Sequence, residues 1–262
     1  MSTTPRTHVV TGAASGIGAA TRHTLLAQGD HVIGVDLRGS DIDCDLADPA
    51  SRATLADRVS ALAPHGIDAV HAIAGVSLPT ALTAKVNYFG ATATLSSLRP
   101  LLAGSPAPRA LVVSSFSALQ DTDPELLDAL REDDEDRALA RAEALAADGQ
   151  GSLIYPSSKR AIAEWVRTQA ITTPWAGAGI PLNAVGPGVI RTPMTAPYLD
   201  TPEGREGLFA QVPSPLNGAA DPEDIAGLLA WLTSPANRHL TGQVVFADSG
   251  ADATVRGPRI FG

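Results

Sequence analysis

Tyr155 and Lys159 stand four positions apart in the run Tyr155-Pro156-Ser157-Ser158-Lys159. On a helix, positions i and i+4 share one face and reach each other, so this spacing sets a phenol beside an ammonium. A free tyrosine titrates near pH ~10 and is a poor base at neutral pH unless positive charge steadies its phenolate, which a compact ammonium can do. The chain has two lysines, Lys85 and Lys159, against seventeen arginines. A lysine in this place, where the protein elsewhere uses arginine, reads as half of a general acid–base pair. The bland alternative is a solvated surface pair.

A second motif lies near the start. Thr11-Gly12-Ala13-Ala14-Ser15-Gly16-Ile17-Gly18 follows an apolar run and opens a helical pattern. Glycines let the backbone turn sharply and approach an anion, and a helix N-terminus offers unpaired N–H groups and a positive dipole end. Gly12, Ser15, Gly16, Ile17 and Gly18 are therefore candidates for holding a dinucleotide pyrophosphate. No lysine follows Gly18, which argues against a nucleoside-triphosphate loop. Asp36, with Leu37 beside it, closes the second apolar run, where a carboxylate can accept both hydroxyls of an adenosine ribose and repel a 2′-phosphate. NAD is thus expected over NADP, although Arg38 could bind a phosphate. Asp45 and Leu46 end a short third run and are placed to border the adenine.

These groups need a scaffold that brings strand ends together. Short apolar runs alternate with helical patterns, as repeated βαβ units do. The runs are Thr7–Gly12, His31–Asp36, Asp41–Asp45, Asp68–Gly75, Arg109–Ser115, Ile180–Gly186 and Gln243–Asp248. The expected fold is α/β: a single-domain Rossmann arrangement over residues 1–262, with a doubly wound, seven-stranded parallel sheet and helices on both faces. Asp48-Pro49 and Asp221-Pro222-Glu223-Asp224 carry helix-start signals.

One stretch, about 119–149, breaks the rhythm. Between Asp121 and Asp148 there are eleven acids and three arginines, out of a net charge of −9 for the chain. Asp123-Pro124 opens a helical pattern, and Leu126, Leu127, Leu130, then Leu139, Ala142 and Leu145 repeat at helical spacing. Two short helices with solvated acidic faces are expected, either as a surface excursion or shaping a substrate mouth or subunit contact.

Composition bounds the rest. Hydrophobic residues make up 44% and charged residues 18%, which excludes a disordered chain. The acidic balance offers no basic face to nucleic acid or anionic lipid. One cysteine, Cys44, and six scattered histidines suggest a reducing compartment and a metal-free site. No apolar run approaches membrane-spanning length. A cytoplasmic protein with a small-molecule substrate is expected.

The Thr-Gly-x-x-x-Gly-x-Gly turn, the strand-ending Asp36 and the Tyr-x-x-x-Lys pair together resemble the short-chain dehydrogenase/reductase family along nearly the whole chain. That resemblance implies that Ser115, in Val112-Val113-Ser114-Ser115, is the catalytic serine, with Ser114 its near neighbour, and that Asn87 in Val86-Asn87-Tyr88-Phe89-Gly90 is the helix asparagine. Ser115 also ends a strand, at the carboxyl edge where such sheets bind ligands. The family's segment lining the nicotinamide matches Pro187, Gly188, Val189 and Thr192, and its usual Asn-Asn-Ala-Gly reads Ala72-Ile73-Ala74-Gly75 here, which loses a polar strap but keeps the small Ala74-Gly75 that lets a cofactor approach. The long insertion and the Val86–Thr92 stretch are similar to those of bacterial 3α-hydroxysteroid dehydrogenase/carbonyl reductases.

The same resemblance implies NAD(H)-dependent hydride transfer between a secondary alcohol and a ketone. Tyr155 would act as acid or base, Lys159 would lower its pKa, Ser115 would bind the carbonyl oxygen, and Asn87 would hold a water. Val76, Leu78, Phe116, Val189, Met194, Tyr198 and Phe209 suggest an apolar cleft suited to a 3α-hydroxysteroid or other bulky carbonyl compound. A terpenoid, cyclic alcohol or small ketone is the alternative, and a non-catalytic dinucleotide binder a more distant one. A homo-oligomer, dimer or tetramer, is implied, with Ile260-Phe261 available to a contact.

Overall fold

The computed structural model describes residues 4–258; Ile260 and Phe261 lie outside the described residues. Seven strands form one parallel sheet in the order β3-β2-β1-β4-β5-β6-β7. They are β1 (Thr7–Thr11), β2 (His31–Asp36), β3 (Ile42–Asp43), β4 (Ala69–Ala72), β5 (Arg109–Val113), β6 (Leu182–Pro187) and β7 (Val244–Ala247). Each lies inside or within one residue of its expected run, and most are shorter because the run continues into the turn that carries the site. The order reverses between β1 and β4, and that switch point opens a crevice at the carboxyl edge.

Among the described residues, twelve α-helices accompany the sheet: α1 (Gly16–Ala27), α2 (Pro49–Ala53), α3 (Leu55–Leu62), α4 (Ala81–Ala84), α5 (Ala91–Leu98), α6 (Pro124–Arg131), α7 (Glu135–Ala147), α8 (Ile154–Gln169), α9 (Ala196–Leu199), α10 (Pro202–Gln211), α11 (Pro222–Thr233) and α12 (Ala251–Arg256). The side-chain alternation of buried strands sorts them. Val9, Val70, Val112 and Ala184 face Leu55, Leu95, Leu98, Ile162 and Val166 of α3, α5 and α8. Val10, Leu111, Val113 and Val185 face Leu25 of α1 and Ile225 and Leu229 of α11. Burying both faces is why the strands read as continuous apolar runs.

The insertion forms the expected helix pair. Asp123 caps α6 by accepting from the Leu126 N–H at 2.7 Å, and Asp134 caps α7 by accepting from that of Arg137 at 3.0 Å. Leu126, Leu127, Leu130, Ala138, Ala142 and Leu145 join the larger apolar core, so the pair is an added layer rather than a loose excursion. Its three arginines are used internally and at the seam: Arg131 meets Asp128 and Glu164, Arg137 meets Glu132, and Arg141 meets Asp123. Arg52, buried on α2, reaches across to both carboxylate oxygens of Glu135 at 2.8 and 2.7 Å.

Candidate active site

The carboxyl ends of β1, β4, β5 and β6 open onto a cleft of about 660 Å³. Its floor is the glycine turn. Gly12 has φ +71° and Gly16 φ +51°, and a Cβ on Gly12 would stand 3.0 Å from the Ala74 Cα. The Thr11 hydroxyl accepts from the N–H groups of Ile73 and Ala74 at 2.9 and 3.0 Å, which holds the exit of β4 against the turn. Ser15 precedes α1 with extended backbone and makes no side-chain cap. The first N–H groups of α1 are thus left for an outside acceptor at the cleft wall formed by Ser15, Gly16, Ile17 and Gly18. Asp36 sits behind this turn; its Oδ2 accepts from the Ala14 N–H at 2.9 Å and its Oδ1 from the Leu37 N–H at 2.7 Å. An anion cradle with a fixed carboxylate at one end fits a dinucleotide.

The opposite wall carries the chemistry-bearing side chains. Ser115, Tyr155 and Lys159 line the cleft together. Lys159 is 3% exposed; its Nζ donates to the Val113 carbonyl at 3.0 Å and lies 5.7 Å from the Tyr155 ring centre. Burial pulls the ammonium down to about 8. Burial likewise pushes the Tyr155 phenol up, and the hydroxyl of Ser115 beside it pulls partly back. In the free protein the phenol is thus governed by burial, with the ammonium engaged by Val113.

Ser114 and Ser115 diverge. The Ser114 hydroxyl, buried, donates to the Lys159 carbonyl at 2.7 Å and ties β5 to α8. The Ser115 hydroxyl accepts from the Ser117 N–H at 3.1 Å and borders the cleft. Asn87 lies on a π-helical turn, Lys85–Gly90, a local widening frequent at functional sites. Its carboxamide accepts from the Val76 N–H and donates to the Val76 carbonyl, both at 2.9 Å, and donates to Ser158 Oγ at 3.2 Å. A Cβ on Gly75 would stand 3.1 Å from Asn87 Oδ1 and 3.3 Å from Lys159 Nζ, so Gly75 is the spacer between that amide and the cleft.

Ala74, Gly75, Val76, Leu78, Pro187, Gly188, Thr192, Met194 and Tyr198 line the cleft as expected. Thr192 packs over the turn, its Cγ2 within 3.2 Å of where a Gly16 Cβ would be. Three expectations are corrected, those for Phe116, Val189 and Phe209. Phe116, 2% exposed, turns away with Val189 into a separate apolar cluster, because Ser115 starts a 3-10 turn over Phe116–Leu119 that carries the ring behind the wall. Phe209 borders a second cavity of about 630 Å³ beneath α9 and α10. Of the pair expected at the adenine, Asp45 is exposed with its Oδ1 accepting from the Ala47 N–H at 2.9 Å, and Leu46 is buried against Gly90. Sequence reasoning missed Ser77, Ile190, Thr195 and Pro197, which also line the cleft. Their signal was position alone, in the loops leaving β4 and β6.

Set against known proteins, the chain is 35% identical over 254 residues to the 3-alpha-hydroxysteroid dehydrogenase/carbonyl reductase of Comamonas testosteroni, covering 95% of this chain and 97% of that one. The chain belongs to the short-chain dehydrogenase/reductase family. A family model described as enoyl-(acyl carrier protein) reductase matches residues 139–252. The structure of a 3-alpha-hydroxysteroid dehydrogenase from Pseudomonas sp. B-0831 complexed with NADH superposes with a TM-score of 0.87 at 33% identity, covering 96% of this chain and 99% of that one. A gluconate 5-dehydrogenase structure from Beutenbergia cavernae with bound NADP superposes at 0.75 with 25% identity, covering 96% and 98%. As a member of the short-chain dehydrogenase/reductase family, the protein is an oxidoreductase. Among the described residues, no helix is long and apolar enough to cross a membrane, and no group of three or more His, Cys, Asp or Glu is placed to hold a metal ion.

Proposed function

We propose that this protein interconverts a secondary alcohol and a ketone with NAD(H), acting on a 3α-hydroxysteroid or a similarly bulky, apolar carbonyl compound. The observation that carries this reading is the convergence of Ser115, Tyr155 and Lys159 on one cleft whose other wall is the glycine turn. A bound nicotinamide supplies the hydride acceptor or donor and, when oxidised, a positive charge beside the phenol. Tyr155 takes the alcohol proton in one direction and returns it in the other. The Ser115 hydroxyl hydrogen-bonds the substrate oxygen and fixes it against the phenol. Lys159 would hold the nicotinamide ribose, and its charge would favour the phenolate. Asn87 holds Val76 and, behind it, a water for proton exchange.

Asp36 supports NAD over NADP, since its carboxylate, oriented by two backbone N–H groups at the end of β2, would accept from ribose hydroxyls and repel a 2′-phosphate. The exposed side chains of Leu78, Met194 and Tyr198 at the mouth offer apolar surface to a ring system with one polar handle. A homo-oligomer belongs to the same reading. The test is NADH formation by purified protein given NAD⁺ and androsterone, with NADP⁺ and a cyclic terpene alcohol in parallel. NAD⁺-dependent turnover of the steroid supports the full reading. Turnover of the terpene alcohol alone keeps the reaction and discards the steroid.

A further inference from the structure

The cleft wall after β4 is held in an unusual way. Val76, Ser77 and Leu78 all line the cleft, yet Leu78 is 46% exposed, so apolar packing does not fix it. Its main chain is held by one side chain. The Thr83 hydroxyl accepts from the Leu78 N–H at 2.9 Å and donates to the Leu78 carbonyl at 2.7 Å. Thr83 itself is fully buried. Asn87, four residues on, treats Val76 in the same manner, with both bonds at 2.9 Å.

The two clamps match because helix and extended chain share a length here. Four residues of helix advance about 6 Å, and two residues of extended chain about 6.6 Å. Side chains at i and i+4 therefore meet main-chain groups two apart on a segment laid along the helix. Ser77 falls between the clamped residues, at the cleft. Behind the wall, the exit of the acidic insertion closes the remaining space: a Cβ on Gly151 would stand 2.6 Å from the Pro79 carbonyl oxygen and 2.8 Å from the Pro79 Cβ.

We propose that Thr83 is a positioning residue for the substrate: its hydroxyl pins the Ser77–Leu78 edge of the cleft, with Gly151 as a stop behind Pro79, at the depth a bulky ring system requires. This rests on reading the cleft as the site of alcohol–ketone interconversion. Thr83 touches neither the reacting atoms nor the cofactor cradle. Its loss should thus appear in the recognition of large substrates and spare the chemical step.

The test compares Thr83→Val, which keeps the shape and loses both bonds, with Thr83→Ser, which keeps the hydroxyl, in the full chain with NAD⁺. For androsterone, Thr83→Val should raise KM about tenfold while kcat stays within about threefold, and KM for cyclohexanol should move about twofold or less. Affinity for NADH should not change, and Thr83→Ser should restore androsterone KM. Residue-resolved amide exchange gives a reading independent of activity: Leu78 should be protected in the wild type and Thr83→Ser, and exchange about a hundredfold faster in Thr83→Val. An unmoved KM, an equal loss in kcat and NADH affinity, or a wild-type Leu78 amide exchanging as fast as that of Ser77 would each overturn the proposal. The last needs no variant to fold. Wild-type protein inactive on both alcohols would overturn the reaction reading instead, while the clamp stands or falls on Leu78 exchange.

Discussion

Lys159 holds its ammonium 5.7 Å from the centre of the Tyr155 ring but gives its hydrogen bond to the carbonyl of Val113, 3.0 Å away. The pair is thus adjacent without being engaged. Both groups are more costly to ionise here than in water, the ammonium lowered to about 8 and the phenol raised. Such a pair stores no ready phenolate. On the function proposed above, an oxidised nicotinamide would supply the positive charge that such a phenolate needs.

Removing the phenol oxygen isolates that chemistry. Tyr155→Phe keeps the ring that packs on α8 and should leave NADH affinity within a few fold. Steady-state turnover should fall about a thousandfold, the scale of losing a positioned acid–base group. Turnover at wild-type rate with unchanged NADH fluorescence titration would remove Tyr155 from the reaction.

Lys159 should stabilise activity at the expense of the fold. Below about pH 8 the buried amine is charged both folded and unfolded, so the folded state bears the whole cost of desolvating it. Between about 8 and its ordinary 10.5 the folded amine releases its proton first, and the cost lessens. Lys159→Met removes that cost and leaves the Val113 carbonyl without its donor, worth about 1 kcal/mol. The free protein should gain about 2 kcal/mol at pH 7 while losing turnover, and the gain should shrink above pH 8. Chemical denaturation at pH 7 and 9.5 checks both.

Asp36 should decide between the two dinucleotides. Its oxygens accept from the Ala14 and Leu37 N–H groups, and in the proposed complex they would also accept from two ribose hydroxyls, charge-assisted bonds of about 1.5–3 kcal/mol each. Asp36→Ala should lower kcat/KM with NAD⁺ about a hundredfold. The same change removes the repulsion of a 2′-phosphate and frees Arg38 to approach it, so activity with NADP⁺ should rise. A preference for NAD⁺ unaffected by the substitution would show that another group reads the ribose.

The fold and the floor of the cleft were legible because their signals are local. Val9-Val10 and Val112-Val113 face opposite helix layers and therefore read as unbroken apolar runs, and Tyr155 and Lys159 meet through helical spacing alone. Phe116 was misread for the opposite reason: whether a ring after a strand end faces the cleft depends on the turn begun by Ser115, whose direction no pattern in the chain encodes. Val189 joins it in the same cluster. Thr83 carried no signal at all, since its partner Leu78 reaches it only when the chain doubles back between β4 and α4. The resting place of the Lys159 ammonium on Val113 was equally hidden, being a contact between residues 46 apart.

The last expectation lies at the far end of the sheet. His8 on β1 and His71 on β4 share a hydrogen bond, Nδ1 to Nε2, at 3.0 Å. His8 Nε2 faces Asp30 Oδ2 at 3.3 Å, Arg6 stands beside both, and Asp68 accepts from the Thr7 N–H nearby. Burial lowers both imidazoles from 6.5, His71 most, with the neighbouring cations adding to the effect and Asp30 opposing it at His8. Both rings therefore bind a proton less readily in the fold than in the unfolded chain, which takes up protons once the pH falls below about 6.5. Stability should drop as pH falls from 6.5 toward 5, by about 1.4 kcal/mol per pH unit for each proton withheld. His71→Gln retains a donor for His8 Nδ1 and removes the more strongly lowered of the two titrations, so it should reduce that slope by about half or more. Urea midpoints of both proteins at pH 7, 6 and 5 check it; parallel pH dependence in the two would show that the slope arises elsewhere.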